Sequence, residues 1–192
     1  MRNIISIILG FICVVAFTCC NRRPVPVPRP VAYPRIQLAD TVYRIVEATQ
    51  NIARVMANCQ GDTVVIKKNK NAVWVDIVYC IYSGAVLHLT IQSVDKYNLA
   101  ADMAGRMQRI EMNIGGNKPQ VVEVSNGKFE GIVVKAVSAN VTPLQFLATD
   151  NKSVIVYGSF EMPESYSKDV EMFLPVINSV ENDIIKLISD LD

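Results

Sequence analysis

Histidine is nearly missing from this chain: His88 is the one histidine among 192 residues. Any Ser-His-Asp arrangement must therefore be built around that side chain. A zinc site would also have to recruit Cys59 and Cys80. His88 sits in the apolar run Val86-Leu87-His88-Leu89, where strand alternation sets it opposite Leu87 and Leu89. That position suits a surface or structural histidine. An enzymatic role would need acidic residues such as Asp76 or Asp150 to converge on it in a pocket. Phosphate-cradling loops are missing as well. Gly115-Gly116-Asn117 lacks the lysine and hydroxyl that such a loop needs, and reads instead as a helix terminator and turn. The carboxylates are scattered, without the close pair of a glycosidase. The expectation is a chain with no catalytic residue, no metal and no cofactor.

Also lacking is an apolar run of the roughly 20 residues that a stable membrane span requires. What stands at the N-terminus is shorter: Arg2, then a 14-residue apolar run from Ile4 to Phe17, then Cys19-Cys20. A basic start, a short apolar core and a small-residue pair before cysteine form a bacterial lipoprotein signal. Cys20 is the expected acylated residue, because Thr18 and Cys19 then fill the small positions before the cut. Choosing Cys19 instead would place bulky Phe17 second from it. The organisation expected is a signal peptide over 1–19, a lipidated cysteine and tether over 20–35, and a domain over 36–192.

Acidic residues are missing from the tether, which carries five of the nine prolines and four arginines between Cys20 and Arg35. Alternating Val-Pro cannot build sheet or helix, since proline lacks the donor and fixes φ. Residues 21–34 in polyproline II, at about 3.1 Å each, would reach roughly 40 Å from the lipid. Residues 36–192 hold 14 Lys+Arg against 18 Asp+Glu, a net of −4 beside the +4 tether. Basic residues near an anionic bilayer gain about 1 kcal/mol each, which would draw the tether to the membrane; a solvated linker is the alternative. Nucleic acid is not an expected partner, because the body is acidic and has no basic, aromatic-interleaved strand.

The remaining length suits one domain with its own core. Val73 to Tyr79 is rich in β-branched and aromatic residues, Ser83-Gly84 supplies a turn, and Val86 to Gln92 runs back. Gly127 precedes a second strand run, Phe129 to Val137. Asp150-Asn151-Lys152 separates Leu144–Ala148 from Val154–Met162. Leu99, Met103, Met107, Ile110 and Ile114 mark a helix, with Asp95 or Ser93 as cap. Val170, Phe173, Leu174, Ile177, Val180, Ile184, Leu187 or Ile188, and Leu191 mark another. Ser167 or Asp169 would cap it, and Pro175 must fall in its first turns or kink it. Residues 39–58 fit a helix nearly as well as broken strands; strands are preferred. The fold class expected is α+β, an antiparallel sheet with two helices packed on it.

Trp74-Val75-Asp76-Ile77-Val78-Tyr79, followed by Tyr82-Ser83-Gly84-Ala85-Val86-Leu87-His88-Leu89-Thr90, resembles the central hairpin of the gliding motility lipoprotein GldD family of the Bacteroidetes. The similarity extends to Asn98-Leu99 and to Ala139-Asn140-Val141-Thr142-Pro143-Leu144-Gln145-Phe146. It continues through Ala148-Thr149-Asp150, Gly158-Ser159-Phe160, Leu174-Pro175-Val176-Ile177 and Asp183-Ile184. Pro28-Arg29-Pro30 before Tyr33-Pro34-Arg35-Ile36 fits as well, whereas residues 40–72 match poorly. Val73 and Cys80 stand where the family pattern has a cysteine and a proline, so a family disulfide does not transfer. The resemblance implies an envelope lipoprotein of the gliding and type IX secretion apparatus, with a PsbP-like α+β sandwich and no catalytic residue.

Outside the cytoplasm two thiols commonly oxidise. A Cys59–Cys80 bridge would close a loop of about 20 residues, worth about 3 kcal/mol in the chain-entropy account; two buried thiols are the alternative. Asp40-Thr41-Val42 and Asp62-Thr63-Val64 resemble an O-glycan acceptor pattern of Bacteroidetes envelope proteins, which makes Thr41 and Thr63 candidate sites. The leading functional expectation is a non-enzymatic accessory protein, anchored in the membrane by its N-terminal lipid and docking on protein components of the gliding and secretion machinery. Arg22 and Arg23 favour the periplasmic side. A periplasmic binder of a small or lipidic ligand, with methionines lining a groove, is the alternative; an enzyme is the third class.

Overall fold

A computed structural model describes residues 38, 42–46, 52–58, 62–82, 84–116, 118–137, 142–163 and 170–192. The leader, the tether and the candidate residues Cys19, Cys20, Thr41 and Cys59 lie outside the described residues.

Alternation of apolar residues builds the centre of the sheet. Strand β4 (Ala72–Tyr79) turns through a short 3-10 segment at Cys80–Tyr82 into β5 (Ala85–Ser93). Gly84 takes φ +81° at that turn, a backbone that L side chains rarely adopt. Around this hairpin stand β3 (Asp62–Lys68), β6 (Gln120–Ser125), β7 (Glu130–Lys135), β8 (Leu144–Thr149) and β9 (Val154–Glu161). The seven form one antiparallel sheet in the order β3-β4-β5-β9-β8-β7-β6. A second, two-stranded antiparallel sheet pairs β1 (Tyr43–Ile45) with β2 (Met56–Asn58). Two helices complete the described elements: α1 (Leu99–Ile114) and α2 (Val170–Ser189). The architecture is the expected α+β sheet-and-helix sandwich.

The two helices cover opposite faces of the large sheet. On one face Val73, Val75, Ile77, Leu87, Leu89 and Ile91 join Phe146, Val156 and Phe160 against α2, which contributes Phe173, Val176, Ile177, Val180, Ile184, Leu187 and Ile188. On the other, Ile110 and Ile114 of α1 pack on Val134, Leu147 and Ile155, with Leu99, Met103 and Met107 at the margin. Strand β8 is therefore buried along its whole length. The α2 stripe differs from expectation at one residue. Leu174 is only half-buried and Val176 takes the inward place, because a residue one step from Phe173 is rotated about 100° away. Pro175 falls in the first turns of α2, as required. The cap of α1 is a second difference. The N-cap position is Asn98, with no side-chain cap bond, and Asp95 contributes its carbonyl oxygen to the amides of Asn98 and Leu99. The candidate caps Ser167 and Asp169 lie outside the described residues.

Buried polar contacts tie the small sheet to α2. Asp183 accepts a hydrogen bond from the Tyr43 hydroxyl at 2.7 Å and from Asn58 Nδ2 at 3.0 Å. Burial lifts the Asp183 carboxyl above the usual carboxylate range, against the pull of those two bonds. Burial and the same carboxylate raise the Tyr43 phenol. Lys135 of β7 meets Glu181 of α2 at 2.5 Å, with both side chains mostly covered.

Candidate functional site

Because α1 packs on β7, β8 and β9, the same face stays open over β4 and β5. Register fills that open half with polar side chains. Asp76 pairs with His88 across β4 and β5, His88 pairs with Ser159 across β5 and β9, and Ser159 pairs with Gln145 across β9 and β8. A single row thus carries Asp76, His88, Ser159 and Gln145. His88 Nδ1 lies 2.6 Å from Asp76 Oδ1 and Nε2 lies 3.1 Å from Glu161 Oε2. Burial opposes protonation of His88, but the hydrogen bonds to Asp76 and Glu161 outweigh it and raise the imidazole above its ordinary value. Both ring nitrogens are thereby committed to carboxylates. With Nε2 held by Glu161 rather than by Ser159, the row does not assemble a nucleophile and base.

The convergence required of an enzyme is met by Asp76 and not by Asp150. The Asp150 carboxylate sits in the β8–β9 turn, where Oδ1 accepts from the amides of Lys152, Ser153 and Val154 at 2.8–2.9 Å. Burial works to raise its carboxyl, and those amides lower it further than that; its task is to shape the turn. Asp76 was legible in principle, since a hairpin centred on Tyr82 sets 76 opposite 88. Glu161 and Ser159 come from β9, far along the chain, and have no local signal. Among the described residues no three His, Cys, Asp or Glu side chains form a metal cage.

Two hollows lie on this face. The row itself opens into a cavity of about 190 Å³, where His88, Ser159 and Gln145 meet Arg106, Arg109 and Tyr157. Arg106 stacks 3.8 Å over the Tyr157 ring. On the other side of α1 lies a groove of about 570 Å³ between Met103 and Met107 of the helix and Ile132 and Leu147 of the sheet, with Glu123, Ser125 and Glu130 at its rim. Methionines do line a groove, as expected of a ligand binder. Thr63 lies in β3, in register with Ile77. Contrary to the alternative of two buried thiols, Cys80 is exposed at the start of the 3-10 turn, which projects it outward between β4 and β5. Its candidate partner Cys59 lies outside the described residues.

A family model described as Gliding motility lipoprotein GldD matches residues 23–192, all but the first 22 residues of the chain. No curated protein matches the sequence.

Proposed function

Since the chain belongs to the gliding motility lipoprotein GldD family, a family of lipid-anchored envelope proteins connected with gliding motility, we propose that it is a non-enzymatic assembly component of the gliding and type IX secretion machinery. Its lipid is carried on Cys20, the tether holds the domain on the periplasmic side, and the domain docks on protein partners. The observation that supports docking is the asymmetric cover of the sheet. From β4 to β7 one face is buried in a core shared with α2, Val55 and Ala57, whereas α1 leaves the β4–β5 half of the other face open, with Trp74, Asp76 and His88 partly exposed there. The engagement of both His88 nitrogens supports a role without catalysis.

Crosslinking the native protein in its own cells tests this role. Recovery of secretion or motility components is the expected result, and recovery of no envelope partner would overturn it. The methionine-lined groove favours a second reading, capture of a small apolar ligand or lipid. Native mass spectrometry of the gently extracted protein would then show a bound molecule instead of a protein partner.

A further inference from the structure

We propose that β6 is a docking edge, which takes up an extended segment of a partner protein carrying alternating basic and apolar side chains. This deepens the docking role proposed above and rests on it. Strand β6 ends the order of described strands. Its pairing with β7 is continuous from Gln120 to Ser125, without a bulge, and no proline or lysine interrupts the strand. Among the described residues no strand pairs with its outer side, and a regular edge of that kind offers amides and carbonyls to a strand that approaches. Val121 is 53% exposed on it.

The side chains on the face shared with α1 give the occupant its chemistry. Val121, Glu123 and Ser125 alternate along that face, opposite Val134, Ile132 and Glu130. Glu130 accepts a hydrogen bond from Asn151 Nδ2 at 3.0 Å. Among the described residues neither Glu123 nor Glu130 takes part in an ion pair. A partner strand beside β6 would set a lysine or arginine opposite Glu123. Its apolar residues, one position to either side, would fall on the opposite face of the sheet, beside Val122 and Val124. A second copy of this chain fits badly, because antiparallel β6–β6 pairing centred near Glu123 brings the two carboxylates together. A proline-rich segment is also excluded, since strand addition needs its amides.

The test uses the full lipidated chain in detergent and a labelled synthetic peptide alternating lysine and leucine, followed by fluorescence anisotropy. Binding should be lost when alternate amides of the peptide are methylated, and should weaken about fivefold or more in Glu123→Lys. Lys68→Glu, at the other edge, should leave it unchanged. Glu123 is exposed, so circular dichroism of its variant should match the parent. Undiminished binding of the methylated peptide, or of the parent peptide to Glu123→Lys, would overturn the proposal. A photo-crosslinker at Val121 in native cells should capture a basic, apolar strand segment, and one at Lys68 should not. Capture at Val121 of lipid alone, or of a second copy alone, would overturn it. Partners recovered elsewhere on the domain with a silent Val121 would overturn the edge and leave the docking role standing. Failure to recover any partner would remove both.

Discussion

The two edges of the large sheet are built to opposite rules. At the β3 edge the register with β4 slips between Val65 and Lys67, and Lys67, Lys68 and Lys70 are exposed around its end. A bulge and a run of lysines are the usual protections against edge-to-edge pairing. At the β6 edge the register is regular, valine is exposed, and Glu123 is the one charge in the strand. Both edges belong to one antiparallel sheet, so the contrast is not one of strand direction or sheet type. The difference teaches that an edge is tuned for what approaches it: β3 turns strands away, while β6 turns away only strands that carry a negative charge at Glu123.

The comparison depends first on the central strands that set the edges apart. At Gly158 a Cβ would lie 2.0 Å from the His88 carbonyl oxygen and 2.7 Å from the Phe146 ring. Gly158→Ala should therefore cost about 4 kcal/mol and lower the thermal midpoint by about 10 °C. An unchanged midpoint in calorimetry would show that the β5–β9 junction can open without loss. Next is the support behind β6. Lys135→Met leaves Glu181 covered and unpaired, which should cost about 3 kcal/mol in urea titration. Adding Glu181→Leu should recover much of it, and failure to recover would argue that the pair does more than balance charge.

A smaller effect on stability sharpens the contrast directly. Lys67→Val with Lys68→Val should shift the folding free energy by no more than about 1 kcal/mol. It should increase self-association over the parent in sedimentation. A doubly substituted chain that associates no more than the parent would mean that the bulge alone guards β3. The smallest effect concerns His88, whose two carboxylate partners join β4, β5 and β9 on the β3 side. Its folded-state value is raised, so its stabilisation is fully present below the unfolded value near 6.5. It fades as pH climbs through the raised folded-state value. The parent should thus lose a little stability over that interval, and His88→Gln should show no such loss. Identical pH profiles would refute the link.

Much of this fold is legible in the sequence. The β4–β5 hairpin, β7, β8, β9, the α1 stripe of Leu99, Met103, Met107, Ile110 and Ile114, and most of the α2 stripe follow from periodicity. Each of those elements must bury at least one continuous apolar face. The two edge strands carry no such signal. Gln120-Val121-Val122-Glu123-Val124-Ser125 buries only Val124 fully, so its pattern is diluted by positions that face solvent. Residues 39–58 carry two three-residue strands at Tyr43–Ile45 and Met56–Asn58. These are too short for any period to stand out, and their place is set by Asp183, some 125 residues away or more.

The sequence by itself determined the class of fold, the family, the order of the central elements and the side of its strand that His88 occupies, because each rests on residues near one another in the chain. Tertiary structure alone decided that Asp76 and Glu161 close on both nitrogens of His88, and that Asp150 serves a turn. It also decided that one edge of the sheet is guarded and the other open. Those outcomes depend on which strands become neighbours and in what register, a choice made by packing the whole core at once.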